Sequence, residues 1–278
     1  MSQQNTRRPW LFAGVVPALA LLVSCTPPEG DRSRAEPSVE SDPPSAVAPP
    51  DPGVEPPPVR VLPADAPRAA GPGHDRPGAA VPERPQEQLA GWAESMSEQL
   101  NIPRAALQAY GYAARAAETT HPGCGIGWST LAGIGSIESS HGRYGGAKLD
   151  GTGRPSIAIR GLPLDGSHGI KRIPDTDQGV LDGDREFDRA IGPLQFIPGT
   201  WAKWGADADG DGVADPNDLD DAALAAAQYL CSVGGDMHRP DRFWAALLDY
   251  NESRDYGQDV LDHADHYGRV SRELATKD

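Results

Sequence analysis

Residues 128–142 read WSTLAGIGSIESSHG, and this stretch decides what kind of fold the chain builds. Leu131 and Ile134 precede Glu138 by seven and four residues, which is helical spacing, so a helix over 128–140 carries the carboxylate on its apolar face. A carboxylate there is costly unless it is protonated or paired. The last turn of the helix adds the negative end of the backbone dipole, and both effects raise the pKa toward the range in which a carboxylic acid donates a proton near neutrality. A glutamate turned outward to solvent at a helix end satisfies the same spacing, and on this helix alone that is the better reading.

Outward from this segment the pattern stays helical. Helices are predicted over Gln88–Leu100 and Pro103–Thr119, the second capped by Asn101 with Pro103 in its first turn. Further helices are predicted over Thr200–Trp204, Asp220–Ser232, Asp241–Asn251 and Tyr256–Tyr267. Between Gly142 and Ala190 lies a Gly- and Asp-rich stretch with little helical periodicity, which implies a functional loop or a small irregular subdomain. The expected fold class is mainly α, with one long irregular insertion.

Composition divides the chain. Of 28 prolines, 17 fall between residues 26 and 87, a stretch without aromatics and with too few large apolar side chains to offset the entropy of ordering it. A disordered Pro-rich tether is therefore predicted over 25–87, leaving 88–278 as the folded domain. Ahead of it, Arg7 and Arg8 precede the apolar run Trp10 to Val23, which is short for a membrane span but suits a signal peptide over 1–24.

Leu22-Val23-Ser24-Cys25 resembles the lipobox of bacterial lipoproteins, which implies cleavage before Cys25 and its acylation. The chain is then expected outside the cytoplasmic membrane, anchored by lipid at the membrane–wall boundary. A short membrane anchor with an incidental cysteine is the alternative, and the twin arginines leave the export route open. The formal net charge of −15 and the lack of a basic stripe argue against nucleic acid. Cys124 and Cys231 remain for the folded region, where an oxidising compartment favours a disulfide over two separate buried thiols. No CxxC or Cys/His cluster offers a zinc site.

Three further motifs follow Glu138-Ser139 in order. Gly192-Pro193-Leu194-Gln195-Phe196-Ile197-Pro198-Gly199-Thr200 comes after the long insertion, the acidic run Asp207 to Asp215 next, and Tyr250-Asn251 near the C-terminus. The set resembles the soluble lytic transglycosylase family, most closely its membrane-bound B-type branch, over about Ile102 to Tyr267. The resemblance implies a lysozyme-like α-rich fold with a groove for peptidoglycan glycan strands. It makes Glu138 the single catalytic acid and base, and Gln195, Tyr250 and Asn251 the residues that bind sugar beside it. A hydroxyl and two amides suit that task, since they bond N-acetyl and hydroxyl groups directionally; loop and helix-cap bonding is the competing role for Gln195 and Asn251. The implied product is a 1,6-anhydromuramyl end, formed with help from the substrate's own N-acetyl group. Asp175, Asp177, Asp182 and Asp184 stand in the insertion as alternative second carboxylates for a hydrolytic muramidase, or as turn formers. A non-catalytic, calcium-stabilised wall-binding lipoprotein is the third possibility.

The run DADGDGVAD at 207–215 matches the start of an EF-hand loop, with Asp207, Asp209 and Asp211 as calcium ligands and a backbone carbonyl from Val213. Standard spacing closes such a loop at Asp218. The transglycosylase branch closes it on an aspartate just before the next helix, which is Asp221 here and is preferred, with a structural role for the ion.

Overall fold

The computed structural model describes residues 47–62, 69–70 and 84–277. The expected signal peptide over 1–24 and the expected lipidation site Cys25 lie outside the described residues. Among the described residues seven α-helices carry the domain: α1 (Ala90–Leu100), α2 (Arg104–Thr120), α3 (Trp128–Ser139), α4 (Pro198–Trp204), α5 (Leu219–Gly234), α6 (Pro240–Tyr250) and α7 (Arg254–Ala275). Short strands fill in: β1 (Ala69–Ala70) pairs parallel with β4 (Val213–Ala214), and β2 (Arg160–Pro163) pairs antiparallel with β3 (Arg189–Ile191). Among the described residues no helix is long and apolar enough to cross a membrane. The expected mainly α architecture is what the chain adopts.

Helix α2 is the buried axis. Its alanines at 105, 106, 109, 113, 114, 116 and 117 are all buried, and it packs against α5, whose Ala222, Ala223 and Ala225–Ala227 are equally small. Small side chains let two helices approach closely, and α2 is buried along most of its length. Helix α3 lies against α7 and α2. Gly133 makes the first contact possible, since a Cβ there would stand 2.6 Å from the Val260 carbonyl oxygen. Leu131 and Ile134 are fully buried on this helix, and truncating either to Ala would cost about 2–5 kcal/mol. Cys124, before α3, is bonded to Cys231 near the end of α5, as expected.

Two expectations are corrected. Asn101 does not cap α2. It ends α1 in the left-handed conformation at φ 53°, and Pro103 occupies the N-cap of α2. Asparagine tolerates that conformation better than most residues, so its local preference served the preceding helix end.

The second correction concerns the tether. Residues 47–62 pack along the domain as an extended strap, not as free chain, and Arg84 and Gln86, also ahead of residue 88, are buried. The strap is rich in proline, so its carbonyls have few partners of its own and accept from the domain instead. Trp128 Nε1 donates to Val54 O (3.0 Å), Ser129 Oγ to Asp51 O (2.8 Å), Arg115 Nε to Pro56 O (2.7 Å), and Tyr112 Oη accepts from Leu62 N (2.9 Å). Gly53 turns the strap at φ +77°, close enough to Ser271 that a Cβ would meet its Oγ at 2.7 Å. Arg84 then forks onto Asp220 at the start of α5, with Nε to Oδ2 at 2.8 Å and Nη2 to Oδ1 at 2.9 Å. The folded unit therefore draws on residues before 88.

Candidate active site

Helix α3 ends abruptly just after Glu138. Ser140, His141 and Gly142 all take positive φ, at 51°, 60° and 78°, which turns the chain away and leaves the last helical turn facing a cleft. The cleft encloses about 560 Å³. Glu138, Gln195, Tyr250 and Asn251, the four residues expected to act on substrate, all line it.

Each is set by identifiable bonds. Ser139, next to the glutamate, donates to Pro193 O (2.6 Å) and accepts from Gly142 N (2.7 Å), fastening the 192–195 turn to the end of α3. Tyr250, at the end of α6, donates from its hydroxyl to Leu194 O (2.7 Å), so the same turn is held from a second helix. Gln195 sits in that turn at φ 52°, an unusual conformation for a side chain with a Cβ, and its amide donates to Gly192 O at 2.8 Å. Asn251 ends α6, and its Oδ1 accepts from Ser253 N at 3.0 Å. The turn-bonding role of Gln195 and the cap role of Asn251 are thus real, and both residues still face the cleft.

Glu138 is only partly exposed, at the cleft floor. Burial drives its pKa up to about 7, against the opposing pull of one hydrogen bond. That bond comes from Tyr256, whose hydroxyl donates to Oε1 at 2.6 Å. Burial and the nearby Glu138 in turn hold the Tyr256 phenol well above its ordinary range, so it remains a donor. Tyr256 was not singled out from sequence. It reads as one more apolar-face residue of α7, and only the packing of α3 on α7 brings it to the carboxylate. The other cleft carboxylates are engaged: Asp249 Oδ2 accepts from Tyr229 Oη (2.7 Å) and Glu252 Oε1 pairs with Lys171 Nζ (2.6 Å).

The insertion supplies one wall, through Leu164, Ile170, Lys171 and Ile173. Its aspartates are not in the lining. Asp175 Oδ1 accepts from the amides of Asp177 and Gly179, and Asp177 from those of Val180 and Leu181. Asp182, 2 % exposed, accepts from Asp184 N and Arg189 N, and Asp184 pairs with Arg189 at 2.8 Å. All four shape turns.

In the acidic loop, carboxylate oxygens of Asp207, Asp209 and Asp221 lie within 4.8 Å of one another. Burial raises the pKa of Asp209 and, with Asp218 as the next cause, that of Asp221, which is the cost of gathering like charges out of water. A hard divalent cation relieves that cost, and three carboxylates are suitable ligands for one. Asp218 is directed elsewhere: Oδ1 caps α5 by accepting from Asp220 N (2.8 Å) and Oδ2 meets Arg154 at 2.8 Å. Asp211 Oδ2 also turns to Arg154, at 3.2 Å, and its Oδ1 accepts from Val213 N.

Comparisons with known proteins agree with part of this. Curated proteins and solved structures yield no match. Residues 187–264 match the family described as Transglycosylase SLT domain, a segment that holds Gln195, the acidic loop, Tyr250, Asn251 and Tyr256 but not Glu138. The chain is thus similar over this segment to a transglycosylase domain of the lysozyme-like kind, and that similarity supports transglycosylase-type activity on the glycan of peptidoglycan.

Proposed function

We propose that the chain is a lytic transglycosylase of the B-type branch that cleaves the β-1,4 bond between N-acetylmuramic acid and N-acetylglucosamine and leaves 1,6-anhydromuramyl ends. The observation that carries this reading is Glu138: one carboxylic acid with a near-neutral pKa at the floor of a cleft, bonded to Tyr256 at 2.6 Å, with the other cleft carboxylates paired. Glu138 protonates the glycosidic oxygen as the C1–O4 bond breaks, and the substrate's acetamido oxygen bonds to C1. The carboxylate left behind then removes the proton of the muramyl O6, which attacks C1 and expels the acetamido oxygen. The proton returns to Glu138, so the enzyme ends as it began. Gln195, Tyr250 and Asn251 position the sugars.

Asp207, Asp209 and Asp221 are the residues that would hold a calcium ion, which supplies charge balance between the acidic loop and α5 and takes no part in bond cleavage. Export with an acyl anchor at Cys25 completes the proposal, and the Cys124–Cys231 disulfide fits an oxidising compartment.

Digestion of purified peptidoglycan, with mass analysis of the released fragments, tests the reaction. Fragments one water lighter than their reducing-end counterparts are expected. Reducing ends would establish hydrolysis on the same fold, and binding without release would establish a wall-binding protein.

A further inference from the structure

The cleft holds a cation that glycosidic cleavage does not use. Lys171, from the insertion, places Nζ 2.6 Å from Oε1 of Glu252, in the turn between α6 and α7. Both residues line the cleft. Their side chains are 68 % and 77 % exposed, and an ion pair that open to water contributes little, so it is a weak latch. A competing carboxylate can therefore take the place of Glu252 at little cost.

Charge gives the second argument. Among the described residues lining the cleft, Lys171 is the only cation, beside Glu138, Asp249 and Glu252. Neutral sugar hydroxyls need no ammonium, and an anionic polymer would be repelled by Asp249 and Glu252 unless a cation met its charge. The muramyl unit of peptidoglycan is such an anion. Its lactyl arm ends in a carboxylate, or is joined to a peptide stem that carries carboxylates of its own.

We infer that Lys171 is a specificity residue whose ammonium binds a carboxylate on the acyl arm of the muramyl unit, displacing Glu252, which keeps the lysine placed while the cleft is free. The inference rests on the peptidoglycan reading above. Glu252 also acts against substrates that lack a carboxylate, because they leave the ion pair standing in their way.

Four substrates separate the outcomes: stem-bearing strands, strands stripped of stems by an amidase, and each of these after its carboxyls are converted to amides. The quantity measured is the ratio of kcat/KM for the charged form to that for its amide. Lys171→Ala should lower this ratio about tenfold, mainly through KM, as loss of a charge-assisted hydrogen bond predicts. Lys171→Arg should restore most of it, and Glu252→Gln should raise it, since the lysine is then released. An effect confined to stem-bearing strands identifies a peptide carboxylate, and one that persists on stripped strands identifies the lactyl carboxylate. Equal loss on charged and amidated forms, or Lys171→Ala and Glu252→Gln moving the ratio the same way, would overturn the inference. If wild-type protein releases no fragments from any strand, the peptidoglycan reading itself has failed, which is a separate result.

Discussion

Glu138 at the end of α3 and Asp221 at the start of α5 are both carboxylates held mostly by protein, and burial raises the pKa of each. Their surroundings differ. Asp221 is fully buried, and both oxygens accept backbone amides, from Ala208 at 2.6 Å and Asp215 at 2.8 Å. Glu138 has one phenol at 2.6 Å and an open side toward the cleft. A raised pKa is therefore not what marks a catalytic acid. The open face is, because a proton can be given only to something that can approach.

The strongest way to break this comparison is Glu138→Gln. Removal of a general acid that also serves as base should lower activity by roughly 10³–10⁴-fold, while the fold is kept. Stability supplies an independent readout. Glu138 has a folded pKa near 7, raised from an ordinary 4.5, so the native state binds the extra proton between those values. Stability should then fall as pH rises from about 4.5 to about 7, and Glu138→Gln should flatten that slope. An unchanged slope by thermal melting would mean that the carboxylate is more open to water than its setting indicates.

The disulfide joins the two regions, since Cys124 leads into the helix of Glu138 and Cys231 lies on the helix that Asp221 begins. It closes a separation of 107 residues. Replacing both cysteines by serine should cost about 2–5 kcal/mol of stability, on the chain-entropy account of such loops. Chemical denaturation that shows no change would place the stabilising strength of the fold elsewhere, with the α2–α5 contact the first place to look.

Calcium separates the regions. A chelator should lower the melting temperature, and saturating calcium at about a hundred times its Kd should add about 2.7 kcal/mol. Asp209→Asn keeps an oxygen for the Asp211 amide but removes a ligand charge, so it should abolish the calcium increment. The pH dependence of cleavage, which belongs to Glu138, should stay as it is. Loss of bond cleavage in chelator at a temperature where the protein remains folded would contradict the structural role.

What could be read in advance follows the range of the interactions. The spacing of Leu131, Ile134 and Glu138 is local to one helix and fits a glutamate turned outward as well, so only the motifs further along the chain favoured the inward face. The cap of α2 was not legible, because Asn101 and Pro103 stand two residues apart and two helix ends compete for them. The strap was misread for a different reason. Its composition is that of a tether, and what orders it is Trp128, Ser129, Arg115 and Tyr112, whose side chains reach its backbone from far along the chain. Backbone carbonyls carry no residue-type signal. The resemblance preferred Asp221 to Asp218, and the placement of α5 adds the physical contrast that Asp218 caps that helix while Asp221 turns inward.

Tyr256 shows the same limit at the site itself, and it gives the smallest effect and the finest test. The hydroxyl stabilises the charged form of Glu138 through the 2.6 Å bond, so its removal leaves burial unopposed. Tyr256→Phe should therefore raise the pKa of Glu138 above about 7. A general acid must be protonated to act, so the alkaline limb of the pH–kcat profile should move upward, and the variant should lose less of its activity at high pH than at its optimum. The loss at the optimum should be near tenfold, about 1.4 kcal/mol, which is the size of one hydrogen bond to a charged group at the low end. A phenylalanine that only loosened packing would lower kcat at every pH and leave the limb where it was. A downward shift would mean that Tyr256 bonds the neutral acid, and the account of how α7 tunes the glutamate would then have to be reversed.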